Sequence, residues 1–114
     1  MSDNCLFCKI IAGGIPATIV YKDEQITAFR DINPQAPTHI LILPNRHLAS
    51  VSKAQADEAQ LLGTLLLVGK QLAEKEDLVR GYRLVINDGE EGGQTVAHLH
   101  VHLLGGRQMN WPPG

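Results

Sequence analysis

Cysteine is scarce in this chain of 114 residues: there are two, Cys5 and Cys8, three positions apart. A disulfide framework needs more cysteines, spread along the sequence, so a cross-linked secreted scaffold is excluded. Charge of one sign is also lacking. Ten Lys and Arg stand against twelve Asp and Glu, a formal net charge of -2, which argues against a globally basic nucleic-acid binder. It leaves room for an anionic ligand, because a local field can oppose the net charge. No apolar run approaches the ~18 residues of a membrane span. Met1-Ser-Asp-Asn-Cys5 has neither the basic start nor the apolar stretch of a secretory leader. Proline is absent from residues 45–111, as an interior helix and interior strands require. There is no internal repeat, low-complexity tract or linker. At 44% hydrophobic residues the chain can bury a core. The expectation is one domain over residues 1–114, soluble and cytoplasmic, with neither nucleic acid nor membrane as partner.

Leu6 to Ala12 reads as a short helix, stopped by Gly13, Gly14 and Pro16. Thr18 to Lys22 and Ile26 to Arg30 read as strands around an Asp23-Glu24-Gln25 turn. A loop with two prolines, Asp31 to Pro37, leads to a β-rich apolar strand, Thr38 to Leu43, closed by Pro44. Ser52 to Glu76 reads as the one long helix. Ser52 and Gln55 have capping-box spacing, and Leu62, Leu65, Leu66, Leu72 and Ala73 recur at helical intervals. Gly63 and Gly69 inside it suggest close packing on a sheet. Tyr82 to Asn87 and Val96 to Leu104 read as the fourth and fifth strands, separated by the loop Asp88 to Gln94. Strands, a helix, then strands predict an α+β fold with a five-stranded, mainly antiparallel sheet, one long helix and one short one. The tail 107–114 carries the only tryptophan, Trp111, beside two prolines. Such an end cannot continue a strand and suggests docking, with a second subunit as a candidate surface.

The strongest chemical signal is His98-Leu-His100-Val-His102-Leu-Leu104. Side chains alternate across a strand, so the three histidines share one face and Leu99, Val101 and Leu103 take the other. A polar sheet face that happens to use histidine is the plain alternative, but three in strict alternation, out of five in the chain, favour chemistry. Imidazoles can attack phosphorus, move protons or bind metal. Upstream, Gly89 to Thr95 is glycine-rich: an anion-holding loop or a simple turn. His39, Leu41 and Leu43 share a face, as do Phe29 and Asp31, and Asn87 ends the fourth strand. Together these offer an apolar slot, a carboxylate for sugar hydroxyls and an amide. The CxxC is a metal half-site, a redox pair or an accident of sequence.

The pattern His98-x-His100-x-His102, with Phe29-Arg-Asp-Ile-Asn-Pro-Gln-Ala-Pro-Thr-His39 and Gly105-Gly-Arg-Gln-Met-Asn-Trp-Pro-Pro-Gly114, resembles the histidine triad (HIT) family, and closely its nucleotide-binding branch. The resemblance spans nearly the whole chain. It implies the HIT fold, a two-fold homodimer with a continuous sheet, and hydrolysis of purine nucleoside 5'-phosphoramidates without an organic cofactor. By the same resemblance His100 is the nucleophile, and His102 contacts phosphate and helps to protonate the leaving amine. His39 supports the nucleophile, and Asp31 binds the ribose. Phe7, Ile10, Phe29, Ile32 and Leu41 enclose the purine. Asn87, Gly93, Gln94 and Thr95 hold phosphate, and Trp111 reaches toward the partner's site. The CxxC is similar to that of bacterial members, which implies a structural zinc on Cys5, Cys8, His47 and His98. His98 would then be fixed as a ligand, leaving the chemistry to His100 and His102. Three other readings of the chain compete: a dinucleoside polyphosphate hydrolase, a nucleotide-binding regulatory module with little catalysis, and a catalytic metal held by the three histidines.

Overall fold

Residues of one parity in the strands are apolar and those of the other carry the chemistry, and the fold separates the two sets. The computed structural model describes residues 4–114, so what Met1 to Asp3 suggest about a leader lies outside the described residues. Its elements are α1 (Leu6–Ile11), β1 (Ile19–Lys22), β2 (Ile26–Arg30), β3 (Thr38–Pro44), α2 (Ala59–Lys75), β4 (Tyr82–Ile86) and β5 (Val101–Gly105). The strands form one sheet in the order β1-β2-β3-β5-β4, and every neighbouring pair is antiparallel. The expected α+β architecture is therefore what the chain adopts.

One face of the sheet carries Ile26, Ala28, Ile40, Ile42, Val101 and Leu103, packed beneath Leu65, Val68, Leu72 and Ala73 of α2. The opposite face carries Phe29, Leu41 and Leu43, covered by Phe7, Cys8 and Ile10 from the region of α1. The long helix thus covers the side without histidines, and only the short helix covers the other. Burying side chains of the size of Leu and Phe contributes ~2 kcal/mol each, so both faces favour this arrangement.

Two boundaries differ from the sequence reading. The helix expected from Ser52 begins at Ala59, preceded by two 3-10 turns at Val51–Lys53 and Ala56–Glu58. The Ser52 N–H donates to Asp88 Oδ1 at 3.1 Å, so that residue is tied to the loop before β5. The capping box is made instead by Gln55 and Glu58, with the Gln55 N–H donating to Glu58 Oε1 at 2.8 Å. The fifth strand, expected from Val96, begins its ladder at Val101. Its partner β3 ends at Pro44, and the register Ile42↔Val101 would set Pro44 opposite Leu99. Proline has no N–H to offer there. Leu99 N–H turns to the Leu48 carbonyl at 2.6 Å.

Of the two helix glycines, only Gly69 marks a close approach. A Cβ at Gly69 would lie 3.0 Å from Leu84 Cδ2 and 3.3 Å from Ile42 Cδ1, whereas one at Gly63 meets nothing within 4 Å. Enlarging Gly69 must push the helix off the sheet. Gly69→Val should lower the free energy of unfolding by ~1–3 kcal/mol, read from the urea midpoint. A midpoint equal to the parent's would mean that the helix seat is not set there.

Candidate active site and metal centre

The sheet register builds the site. Phe29 faces Leu41, and Leu41 faces His102, so a row of side chains crosses β2, β3 and β5 on the α1 side. His39 pairs with Leu104, which makes His39 and His102 diagonal neighbours across β3 and β5. Diagonal pairs on one face lie within reach of long or aromatic side chains. The His39 and His102 rings stand 5.2 Å apart and the His100 and His102 rings 4.9 Å apart. His98 and His100 precede the ladder yet keep the alternation, because Leu99 remains in the α2-side core. The Phe7 ring packs nearly perpendicular to those of His100 and Phe29, with centroids 5.0 and 5.5 Å apart, so α1 closes one wall.

Hydrogen bonds fix the tautomers. His100 Nδ1 lies 2.7 Å from the His98 carbonyl, which can only accept, so Nδ1 carries the proton and Nε2 keeps its lone pair. The Gln35 N–H donates to His39 Nδ1 at 3.1 Å. His39 must then carry its proton on Nε2, which lies 2.9 Å from His102 Nδ1 and 3.5 Å from Asp31 Oδ2. His102 Nδ1 accepts, and its own proton sits on Nε2. His39 therefore contacts His102 directly, and His102 in turn stands beside the nucleophile candidate. The ligand atoms of Asp31, His39 and His102 lie within 4.8 Å of one another, as those of a metal site would. The Gln35 donor works against that use, since a metal on His39 Nε2 would require a proton on Nδ1.

Burial disfavours the charged forms of these imidazoles. Desolvation lowers the pKa of His39, His98 and His100, and His102 is pushed down to about 4 by burial first and then by His100 and His39. Asp31 acts in the opposite direction on His39, His100 and His102 but does not prevail.

A second cluster sits beside the first. Cys5, Cys8, His47 and His98 present one ligand atom each, all within 4.8 Å of one another. Cys5 Sγ and Cys8 Sγ lie 3.3 and 3.5 Å from His98 Nδ1, and Cys8 Sγ lies 3.4 Å from His47 Nδ1. Sulfur and nitrogen on a tetrahedral zinc are separated by about 3.5 Å. The set also has the hydrogen bond that orients a ligand. His98 Nε2–H donates to the Pro44 carbonyl at 2.8 Å, which turns the Nδ1 lone pair toward the sulfurs. The residues fit a closed Cys2His2 zinc site.

The remaining candidates divide. Phe7, Ile10, Phe29 and Leu41 form one buried cluster. Ile32, at 97% exposure, and Trp111, at 84%, stand outside it. In the glycine-rich loop the donors turn inward. The Asn87 amide donates to the Gly92 carbonyl, Gly93 N–H to Glu90, and Gln94 N–H to Gly89. The Gln94 side chain bridges Ala49 and Val96 and accepts from Gly89 N–H. Thr95 is exposed at the end of that loop. Sequence reasoning did not reach the main-chain partners, the Pro44 and His98 carbonyls and the Gln35 N–H. Only Pro44, visible as a strand terminator, gave a signal.

An antiparallel sheet with alternating histidines on one face and a Cys2His2 cluster at its end defines a histidine-triad protein. Residues 12–109 match the HIT domain family. The chain belongs to that family. It is 60% identical over 111 residues to the 14 kDa zinc-binding protein of Zea mays, covering 96% of this chain and 87% of that one. It is 52% identical over 111 residues to the adenylylsulfatase HINT1 of Arabidopsis thaliana, covering 96% and 76%. A HIT family hydrolase from Legionella pneumophila superposes with a TM-score of 0.95 at 57% identity, over 97% of this chain and all of that one.

The lowered pKa values make stability depend on pH. His102 ionises near pH 4 in the folded protein against ~6.5 in an unfolded chain, so between these values the unfolded state binds more protons. Stability present above pH 6.5 is thus lost as pH falls toward 4. Melting temperatures taken across this window should decline, and His102→Gln should flatten the decline. An equal slope in both proteins would show that His102 is not held neutral.

Proposed function

We propose that this protein is a purine nucleoside 5'-phosphoramidate hydrolase working through a nucleotidyl-histidine. The observation that carries the reading is the tautomer of His100: Nδ1–H bound to the His98 carbonyl, Nε2 bare, and the ring beside His102. A neutral imidazole with a fixed orientation and a free lone pair is a nucleophile ready for phosphorus. His100 Nε2 attacks the α-phosphorus and the P–N bond to the amine breaks. Water then attacks the phosphorus, the P–N bond to His100 Nε2 breaks, and the nucleoside monophosphate leaves with the imidazole restored. His102 presents its Nε2–H on the side of the phosphate, the proton it can share with the departing amine. Asp31 takes the ribose hydroxyls, and Phe7, Ile10, Phe29, Leu41 and the exposed Ile32 enclose the purine. Thr95 offers its hydroxyl to phosphate, on a loop whose shape Asn87, Gly93 and Gln94 maintain.

A second reading has support from the name of the Arabidopsis relative: the leaving group is sulfate, in an adenylyl sulfate. Sulfate departs without a proton, whereas an amine needs one. The two readings therefore differ in what they ask of His102.

In this reading zinc is held by Cys5, Cys8, His47 and His98, where it supplies structural cross-linking of α1 to the ends of β3 and β5. The zinc-binding name of the maize relative supports it. The active form is a cytoplasmic homodimer. β4 is a sheet edge, and Tyr82 and Ile86 on it are exposed, as are Leu66 and Leu67 on α2. Pairing of β4 with a two-fold copy covers that edge, makes the sheet continuous and leaves Trp111 free to reach the partner.

His100→Ala should lower turnover of an AMP-amine by about a thousandfold or more while AMP still binds. Acid-quenched parent enzyme should carry nucleotide on His100. Activity near the parent's in this variant would refute the covalent route. His102→Gln should slow an AMP-amine far more than an adenylyl sulfate, and the faster parent substrate selects between the two readings. Elemental analysis should find about one zinc per chain, and Cys8→Ser should lower the melting temperature more than it lowers kcat. Metal-free protein of full stability would rule the site out.

A further inference from the structure

Between the tail and the histidines runs an unbroken line of hydrogen bonds. Arg107, at the base of the tail, donates from Nε to the Gln35 carbonyl at 3.1 Å and from Nη1 to the Gln108 carbonyl at 3.2 Å. Gln35 N–H donates to His39 Nδ1 at 3.1 Å, and His39 Nε2–H to His102 Nδ1 at 2.9 Å. The base of the tail also presses on the same loop. Gly106 has φ +93°, and a Cβ there would lie 2.9 Å from Pro37 Cβ, so the tail turns away directly over the end of the Asp31 to Pro37 loop.

We propose that Arg107 is a positioning residue: by anchoring the Gln35 carbonyl it holds the Gln35 N–H on His39 Nδ1, and so fixes which nitrogen of His39 and of His102 carries the proton. The inference deepens the reading of His102 as proton donor to the leaving group and rests on it. The physical need is specific. Imidazole tautomers are close in energy in water, so a single backbone donor suffices to select one, provided that the donor stays in place. Gln35 lies in an exposed loop between two prolines, and among the described residues its side chain donates to the Asn33 carbonyl, at 3.0 Å. Nothing in that short-range contact aims its N–H at His39. The guanidinium comes from 72 residues away, with a charged donor that outlasts competition from water better than a neutral one. If the Gln35 N–H drifts, His39 can protonate at Nδ1 and turn a bare Nε2 on His102 Nδ1. Two lone pairs then face each other, or His102 moves its proton inward, away from the leaving group.

The test uses the whole protein labelled with 15N-histidine, together with steady-state kinetics on an AMP-amine. The parent should show bare Nδ1 and protonated Nε2 on both His39 and His102. Arg107→Ala should give mixed tautomers at His39 and lower kcat about fivefold, the worth of one such hydrogen bond. KM should stay within about twofold, because Arg107 contacts none of the purine pocket residues named above. Arg107→Lys, which keeps a charged donor, should recover most of both. Gln35→Pro deletes the backbone donor and should reproduce the tautomer change with Arg107 intact. Unchanged tautomers in Arg107→Ala overturn the proposal whatever happens to kcat. Mixed tautomers with parental kcat overturn its catalytic half. A parent protein that turns over no AMP-amine refutes the activity instead, and the nitrogen spectra still decide the relay.

Discussion

One imidazole, that of His98, holds the two halves of the site together. It is fully buried, and a buried polar ring is costly unless its hydrogen-bonding capacity is met. Its Nε2–H goes to the Pro44 carbonyl, its Nδ1 faces Cys5 and Cys8, and its own carbonyl takes the proton of His100 Nδ1. The end of β3, the cysteine cluster and the tautomer of the nucleophile candidate are therefore consequences of one residue's satisfaction. Because Pro44 has no N–H, β5 cannot pair there. With the Leu99 N–H turned to Leu48, the side chain of His98 donates to the Pro44 carbonyl in its place.

That arrangement explains why so small a helix matters. α1 has six residues, too few to be stable alone. Cys5 caps it, accepting from the Cys8 N–H at 3.2 Å, and the same two sulfurs reach back to His98. Phe7 lies between them in sequence and forms the wall against His100 and Phe29. A metal held at this cluster, as proposed, would brace the Phe7 wall through three residues of local chain. Such a metal would support the geometry of the triad without entering its chemistry.

The fold was legible wherever period alone decides. Alternation in Thr38 to Leu43 and in His98 to Leu104 separates two faces, and both faces are where parity puts them. Boundaries were legible only where the competing partner is near in sequence. The start of α2 was misplaced because Asp88, 36 residues on, takes the Ser52 N–H. The start of β5 was misplaced because its limit is written in Pro44, and the opposition of Pro44 and Leu99 appears only once the register is known. The metal cluster was reached through family resemblance, since His47 carries no sign of its role in spacing alone. The pairing of His39 with His102 follows from the diagonal of Leu41↔His102, a fact of register rather than of composition. The main-chain groups that fix the tautomers have no sequence signature at all.

The register also explains a division of labour among identical side chains. His98, His100, His102 and His39 all lie in low-dielectric surroundings that disfavour their charged forms. What separates them is which nitrogen is occupied. His98 has its Nε2 tied and its Nδ1 lone pair on sulfur, so it is suited to a metal. His100 has its Nδ1 tied and Nε2 bare, so it is suited to attack. His39 has Nδ1 tied and donates from Nε2–H to His102 Nδ1, so His102 presents a protonated Nε2 beside His100. Four copies of one side chain acquire three chemistries from carbonyls and amides of the main chain. Substituting a carbonyl is not possible by mutation, which is why the sheet register, rather than any one histidine, is the constraint on this site.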